Sequence, residues 1–236
     1  MHCKILNNHI ILSVPTNKGL KTVLVDTGAP MTIFSDDDVL SVEVDGVSYN
    51  VSMNPMRKIY ASGALNECTD NMVGCHVEGL IGADFFAEHD VLVDFAKGVL
   101  NVDSGNPVPE NTLTLCEGFM GVKKFEMAVN GRPLSAFFDT GNRRTFVRSD
   151  LVESLGLEPT DETMDDYNPI IGHFTVKAYR GCVKLGEKVL ENQKVLVGSA
   201  YDHCSRAVGV DGFLGVETVA QSTVWFSYKT MKISVK

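Results

Sequence analysis

Apolar and polar residues alternate along much of this chain with a period of two, the spacing of a half-buried strand. Val42, Val44, Val47, Tyr49 and Val51 follow that rhythm, and Asp45-Gly46 sits where a tight turn would break it. Asn130-Gly131 stands in the same way between residues 125–129 and the apolar run that ends in Phe138. Such pairs accept the left-handed backbone of a two-residue turn, so both segments predict hairpins. Residues 91–95 and 224–228, rich in β-branched and aromatic side chains, predict further strands. One short helix is expected over residues 149–155, with Ser149 as N-cap and Gly156 as its stop. A mostly antiparallel, all-β architecture follows.

The chain also repeats itself. Val-Leu-Val-Asp-Thr-Gly at 23–28 recurs as Phe-Phe-Asp-Thr-Gly at 137–141. Glu-Gly-Leu-Ile-Gly-Ala-Asp at 78–84 recurs as Asp-Gly-Phe-Leu-Gly-Val-Glu at 211–217. From there 78–102 aligns with 211–235 without a gap, placing Val91 opposite Val224, Phe95 opposite Tyr228 and Leu100 opposite Ile233. Thr32 and Thr145 each fall four residues past their glycine. One Asp-Thr-Gly is a weak signal, whereas two, each followed by Gly-apolar-apolar-Gly, mark two copies of one unit. The copies are expected at 1–105 and 115–236, joined by the turn-rich stretch 103–111.

Composition narrows the function. With 236 residues the chain is long enough to bury a core in either half. A formal charge of −9 without a basic run argues against a nucleic-acid surface. No apolar stretch approaches the ~18 residues that span a bilayer, so no membrane partner is expected. The first residues lack the apolar stretch of a signal peptide, which points to a cytoplasmic location. The six cysteines include no CxxC pair, so no metal site is expected; Cys68 and Cys75 are close enough in sequence to bridge. The acidic residues Asp161, Glu162, Asp165 and Asp166 read as a solvated loop, and Trp225 and Phe226 as core.

An aspartate at the end of a buried apolar strand is costly without partners. Two such strands facing each other across a pseudo-twofold axis would bring Asp26 and Asp139 together. Carboxylates that close share one proton, so the pair can act as base and acid on one water. Gly28 and Gly141 would let the backbone approach the carboxylates. Thr27 and Thr140 could exchange hydrogen bonds between the copies.

Asp26-Thr27-Gly28-Ala29 with Thr32 and Leu80-Ile81-Gly82 resembles the active-site loop and apolar-apolar-Gly motif of retropepsin-like aspartic peptidases. Asp139-Thr140-Gly141-Asn142 with Thr145 and Phe213-Leu214-Gly215 resembles them again. The chain is thus similar to a fused retropepsin dimer, or a small pepsin-like bilobal enzyme. The resemblance implies two acid-protease β-barrel halves with a cleft between them, a peptide substrate bound extended, and no cofactor. It also implies a functional monomer that hydrolyses peptide bonds with Asp26 and Asp139, with Ala29 and Asn142 near the substrate.

Three departures stand out. Asn142 occupies a position where the family usually has Ala or Ser, while Pro30 and Arg143 replace a frequent substrate-binding Asp. The interval from Gly141 to Gly212 is 20 residues longer than that from Gly28 to Gly79, 71 against 51. Much of the surplus falls in residues 158–180 and places Ile171, Gly172 and His173 near the tip of a substrate-covering flap. A late loop of the first half, residues 56–76, would rim the cleft. Two other readings compete: the same fold binding peptides without cleaving them, and an ATP-binding domain of the actin and sugar-kinase type. The second needs helices alternating with strands and a glycine-rich adenosine motif, neither of which is evident.

Overall fold

The computed structural model describes residues 1–52, 69–105, 107–168 and 172–236. These form three sheets with short helical pieces between them. Both hairpins fold where the alternation places them. Ser41–Val44 pairs with Val47–Asn50 through Asp45-Gly46 at φ of 51° and 82°. Lys124–Val129 pairs with Arg132–Phe138 through Asn130-Gly131 at 48° and 78°. Positive φ at both central residues gives the twist that joins two paired strands.

The two copies build corresponding sheets. The first runs Ile33–Phe34, Gly79–Ile81, Gly19–Val25, His9–Thr16, Ser41–Val44, Val47–Asn50, with Lys4–Leu6 added against His9–Thr16. The second runs Lys124–Val129, Arg132–Phe138, Gly212–Leu214, Thr145–Val147, Lys188–Val197, Gly172–Leu185, Glu158–Asn168. Pairing of Val129 with Val183 curls this second sheet back on itself. In each, the strand leading to Asp-Thr-Gly lies parallel to the Gly-apolar-apolar strand, Val23 opposite Gly79 and Ala136 opposite Gly212. The strand after the loop crosses that same strand antiparallel, Ile33 opposite Leu80 and Phe146 opposite Phe213.

A third sheet stitches the copies together in the order Leu113–Thr114, Lys232–Val235, Thr223–Ser227, Asp90–Asp94, Val99–Val102. Its central register places Leu92 opposite Trp225, Asp90 opposite Ser227 and Asp94 opposite Thr223. Leu92 and Trp225 are equivalent positions of the repeat, and the other two pairs exchange when the copies are swapped. A strand pair that maps onto itself in this way has a twofold axis through its centre. The pseudo-twofold relation is therefore written in the backbone register.

The core crosses that axis. Phe86 meets Phe226 and Tyr228 edge-on, with ring centroids 5.4 and 6.2 Å apart, and Phe138 meets Phe226 at 6.0 Å. Trp225 and Phe226 are both buried, and one apolar cluster extends from Ile10 to Ile233.

Several expectations change. Residues 149–155 do not form one capped helix: Ser149–Leu151 is a single tight turn. Ser149 spends its hydroxyl on Asp202 instead of capping, although Gly156 ends the segment at φ 58° as a stop should. The acidic stretch is no loop, because Asp161 to Asp166 lie within the strand Glu158–Asn168. A ten-residue helix, Ser199–Val208, was not expected from the pattern. Its Gly198 start offers no side-chain cap, and only Tyr201 and Ser205 are fully buried, so its apolar stripe is thin. Cys75 is a free thiol, and its suggested partner Cys68 lies outside the described residues, as do 56–68 of the proposed rim loop. Among the described residues no helix is long and apolar enough to cross a membrane, and no cluster of His, Cys, Asp or Glu is arranged to hold a metal ion.

Candidate active site

The two Asp-Thr-Gly loops meet on the pseudo-twofold axis, and each is anchored by its own copy. The Asp26 N–H donates to the Ile81 carbonyl at 2.9 Å and the Asp139 N–H to the Leu214 carbonyl at 3.0 Å. The Gly-apolar-apolar strand of each copy thus holds the backbone of its aspartate. Thr32 and Thr145 brace the loops from behind: their hydroxyls accept from the N–H groups of Gly82 and Gly215, both at 3.1 Å. Thr32 donates to Asp84 at 2.7 Å, and Thr145 lies 2.6 Å from the Thr218 hydroxyl.

Thr27 and Thr140 lock the loops to each other. Each hydroxyl accepts the other threonine's N–H at 3.0 Å. Thr27 donates to the Phe138 carbonyl at 2.6 Å and Thr140 to the Val25 carbonyl at 2.7 Å. Both threonines are fully buried, so these four bonds replace water for groups that would otherwise go unpaired.

The glycines explain how close the carboxyl groups come. A Cβ on Gly28 would overlap the Asp139 carboxyl group, and one on Gly141 would lie 2.5 Å from all three carboxyl atoms of Asp26. Each aspartate therefore rests on the other copy's glycine, and the charge of Asp139 bears directly on Asp26. Asp26 Oδ1 accepts from the N–H groups of Gly28 and Ala29, both at 3.0 Å. Asp139 Oδ1 accepts from Gly141 at 3.0 Å and Asn142 at 3.2 Å.

One contact breaks the symmetry. The Asn142 side-chain amide donates to Asp139 Oδ2 at 2.5 Å, and Ala29 has no counterpart to it. Burial pushes both carboxyl groups above the ordinary range, and for Asp26 the charge of Asp139 adds to that, raising it well above. For Asp139 the Asn142 amide is the largest opposing influence, followed by the Gly141 N–H. Hydrogen bonds to the charged form favour it, so the Asn142 amide biases the pair toward charge on Asp139 and the proton on Asp26.

Gly172 and His173 open the second strand of the long hairpin, where they pair with Asn168 and Tyr167, and the His173 and Tyr167 rings meet at 4.8 Å. Ile171 lies outside the described residues. The hairpin reaches the Asp139 loop lower down. Arg144 contacts the Met164 sulfur, and Tyr201 bridges Asp166 and Asn142 at 3.1 and 3.3 Å.

Sequence reading missed Asp166, Tyr201 and His9. Asp166 carried no clear signal, since Thr160, Met164, Asp166, Tyr167 and Asn168 are all half-buried and a register shift between Pro159 and Thr163 interrupts the strand's alternation. His9 is 4% exposed, and its Nδ1 has no hydrogen-bond partner among the described residues. Burial lowers its pKa, against the pull of the Leu6, Gly141 and Asn7 carbonyls, so the ring is held neutral beside the second loop.

Residues 125–218 match the family model for aspartyl proteases. No curated protein matches by sequence. Among solved structures the chain is similar to a retropepsin-like aspartic protease from Rickettsia conorii, 16% identical, covering 52% of this chain and 86% of that one at a TM-score of 0.35. It is also similar to basic 7S globulin from soybean, 8% identical, covering 98% and 91% of the two chains at a TM-score of 0.51. At that identity the second likeness speaks for the fold alone, and it extends over both copies. The chain therefore has an all-β, acid-protease-like fold.

Proposed function

We propose that this chain is an aspartic endopeptidase that hydrolyses peptide bonds with a water activated between Asp26 and Asp139. The observation that carries the reading is the seating of each carboxyl group on the other copy's glycine, close enough for the charge of Asp139 to raise Asp26. Asp139, favoured in its charged form, takes a proton from the water as the oxygen adds to the scissile carbonyl carbon. Asp26 gives its proton to the carbonyl oxygen. The resulting gem-diol collapses when Asp139 returns its proton to the amide nitrogen and Asp26 recovers one from a diol hydroxyl. The C–N bond breaks without a covalent enzyme intermediate.

The substrate is an extended peptide lying between the copies, with Ala29 and Asn142 beside the dyad and the hairpin carrying Gly172 and His173 above it. One chain supplies both aspartates, so activity needs no second copy, and the monomer is the working form. Neither a cofactor nor a metal takes part.

A second reading has one observation in its favour. The Asn142 amide already occupies Asp139 Oδ2 at 2.5 Å, an oxygen that could otherwise receive the water proton. A protein so built could bind a peptide without cleaving it. Incubation with an unfolded protein separates the readings. Wild type is expected to cleave, and Asp26→Asn and Asp139→Asn are each expected to lose at least ~100-fold in rate, the scale of general acid–base catalysis. Equal cleavage by all three proteins removes the dyad from the mechanism. Binding without cleavage by all three favours the second reading.

A further inference from the structure

Asp139 is the end of a chain of polar contacts that begins in the long hairpin. Asp166, on Glu158–Asn168, accepts from the Tyr201 hydroxyl at 3.1 Å. That hydroxyl lies 3.3 Å from Oδ1 of Asn142, whose Nδ2 donates to Asp139. Tyr201 is 4% exposed and comes from the helix Ser199–Val208. Its ring stacks on Phe146 with centroids 3.5 Å apart and meets Phe174 edge-on at 5.2 Å, so the hydroxyl has little freedom.

Counting protons divides this chain into two states. A phenol has one proton to give, Asn142 Oδ1 only accepts, and an ionised carboxylate only accepts. With Asp166 ionised, its charge captures the Tyr201 proton, and Asn142 Oδ1 faces an oxygen with nothing to donate. With Asp166 protonated, Asp166 donates to Tyr201 and Tyr201 donates onward to Asn142. Only then are both ends of the amide held, with Nδ2 fixed on Asp139.

We propose that Tyr201 and Asp166 are positioning residues acting on Asp139 through Asn142, and that the proton on Asp166 decides whether Tyr201 grips the amide or releases it. The kinetic consequences rest on the peptidase reading; the proton linkage itself does not.

The surroundings suit such a switch. Burial raises the Asp166 pKa, while the Tyr167 N–H, the Tyr201 hydroxyl, Arg144 and Arg143 pull the other way. Arg144 is engaged with Glu217 at 2.8 Å, and among the described residues no ion pair forms on Asp166. Across the hairpin Asp166 faces the apolar Phe174. The groups acting electrostatically on Tyr201 are Asp166, Asp139 and the Cys204 thiol.

The test is carboxyl-carbon NMR titration of labelled aspartates, with the pH profile of kcat/KM on an unfolded protein substrate beside it. Wild type, Asp166→Asn, Tyr201→Phe and the double variant are compared. Tyr201→Phe keeps the buried ring and removes only the hydroxyl. It is expected to raise the lower apparent pKa of the Asp26–Asp139 pair by about half a pH unit, a fraction of a charge-assisted hydrogen bond. The acid limb of kcat/KM should move up by the same amount with KM unchanged. Asp166→Asn supplies a permanent donor to Tyr201, so that pair should titrate as it does in wild type with Asp166 protonated. In the Tyr201→Phe background the same change should do nothing. A dyad titration unmoved by Tyr201→Phe, or an equal effect of Asp166→Asn with and without the hydroxyl, overturns the proposal. The NMR arm needs no turnover, so an inactive wild type would count against the peptidase reading alone.

Discussion

Replacing Gly141 with alanine adds one carbon atom against Asp26. That Cβ would lie 2.5 Å from Cγ, Oδ1 and Oδ2 of the carboxyl group. Nonbonded atoms settle at about 3.5–4.0 Å, so the carboxyl group must retreat by about 1 Å. It cannot do so while keeping the bonds from the Gly28 and Ala29 N–H groups, both 3.0 Å long. Gly141 is not one of the positive-φ glycines, so the substitution adds crowding without backbone strain. Overpacking of this kind costs about 1–3 kcal/mol. In a chain of this length that corresponds to a Tm lowered by about 2–12 °C. Displacing a reacting group by about 1 Å costs on the order of 100-fold in rate. The paired assays are a thermal melt and cleavage of an unfolded protein. Both should fall, and cleavage should fall out of proportion to the residual stability. A Gly141→Ala protein that melts and cleaves like wild type would refute the packing of Asp26 on the opposite loop.

Other expectations follow from the same geometry. Thr140→Val removes the acceptor of the Thr27 N–H and the donor to the Val25 carbonyl, leaving two buried groups unpaired. At about 1–3 kcal/mol each, stability in urea should drop by about 2–6 kcal/mol; an unchanged midpoint would show that the threonine exchange contributes little. The raised pKa of Asp26 makes the folded protein hold a proton that the unfolded chain releases near pH 4. Stability is therefore expected to fall as pH rises from there through the folded-state pKa, by at most about 1.4 kcal/mol per pH unit. Asp26→Asn should flatten that decline and be the more stable protein at neutral pH. Parallel urea–pH curves for the two proteins would argue against a buried shared proton.

The fold was legible because its signals are short-range and repeated. Alternation around Asp45-Gly46 and Asn130-Gly131 fixes two hairpins, since those dipeptides accept the turn backbone and a one-residue slip would expose the apolar face. The duplicated Asp-Thr-Gly and Gly-apolar-apolar-Gly segments name the residues that meet on the axis. The neighbours of the site were less legible. Tyr201 and Asp166 stand 59 and 24 positions beyond Asn142, and only the pairing of the long hairpin and the docking of a helix bring them there. Asn142 was conspicuous in sequence, but its effect on Asp139 depends on where its amide points. Residues 149–155 misled because Ser149 could cap a helix, yet Asp202, 53 residues away, takes its hydroxyl. Tertiary partners outweighed a local preference worth about 1 kcal/mol.

The seam through Leu92 and Trp225 is made of main-chain bonds, which are indifferent to side-chain identity provided the register is kept. Such a joint leaves the two copies free to drift apart everywhere else. One copy could lengthen its hairpin and place an amide on its own aspartate while the other kept a short interval and an alanine. Two copies carried in one polypeptide permit that divergence, because a mutation then alters one side only. The unequal surroundings of the two aspartates are what one side of such a joint can acquire while its scaffold stays even.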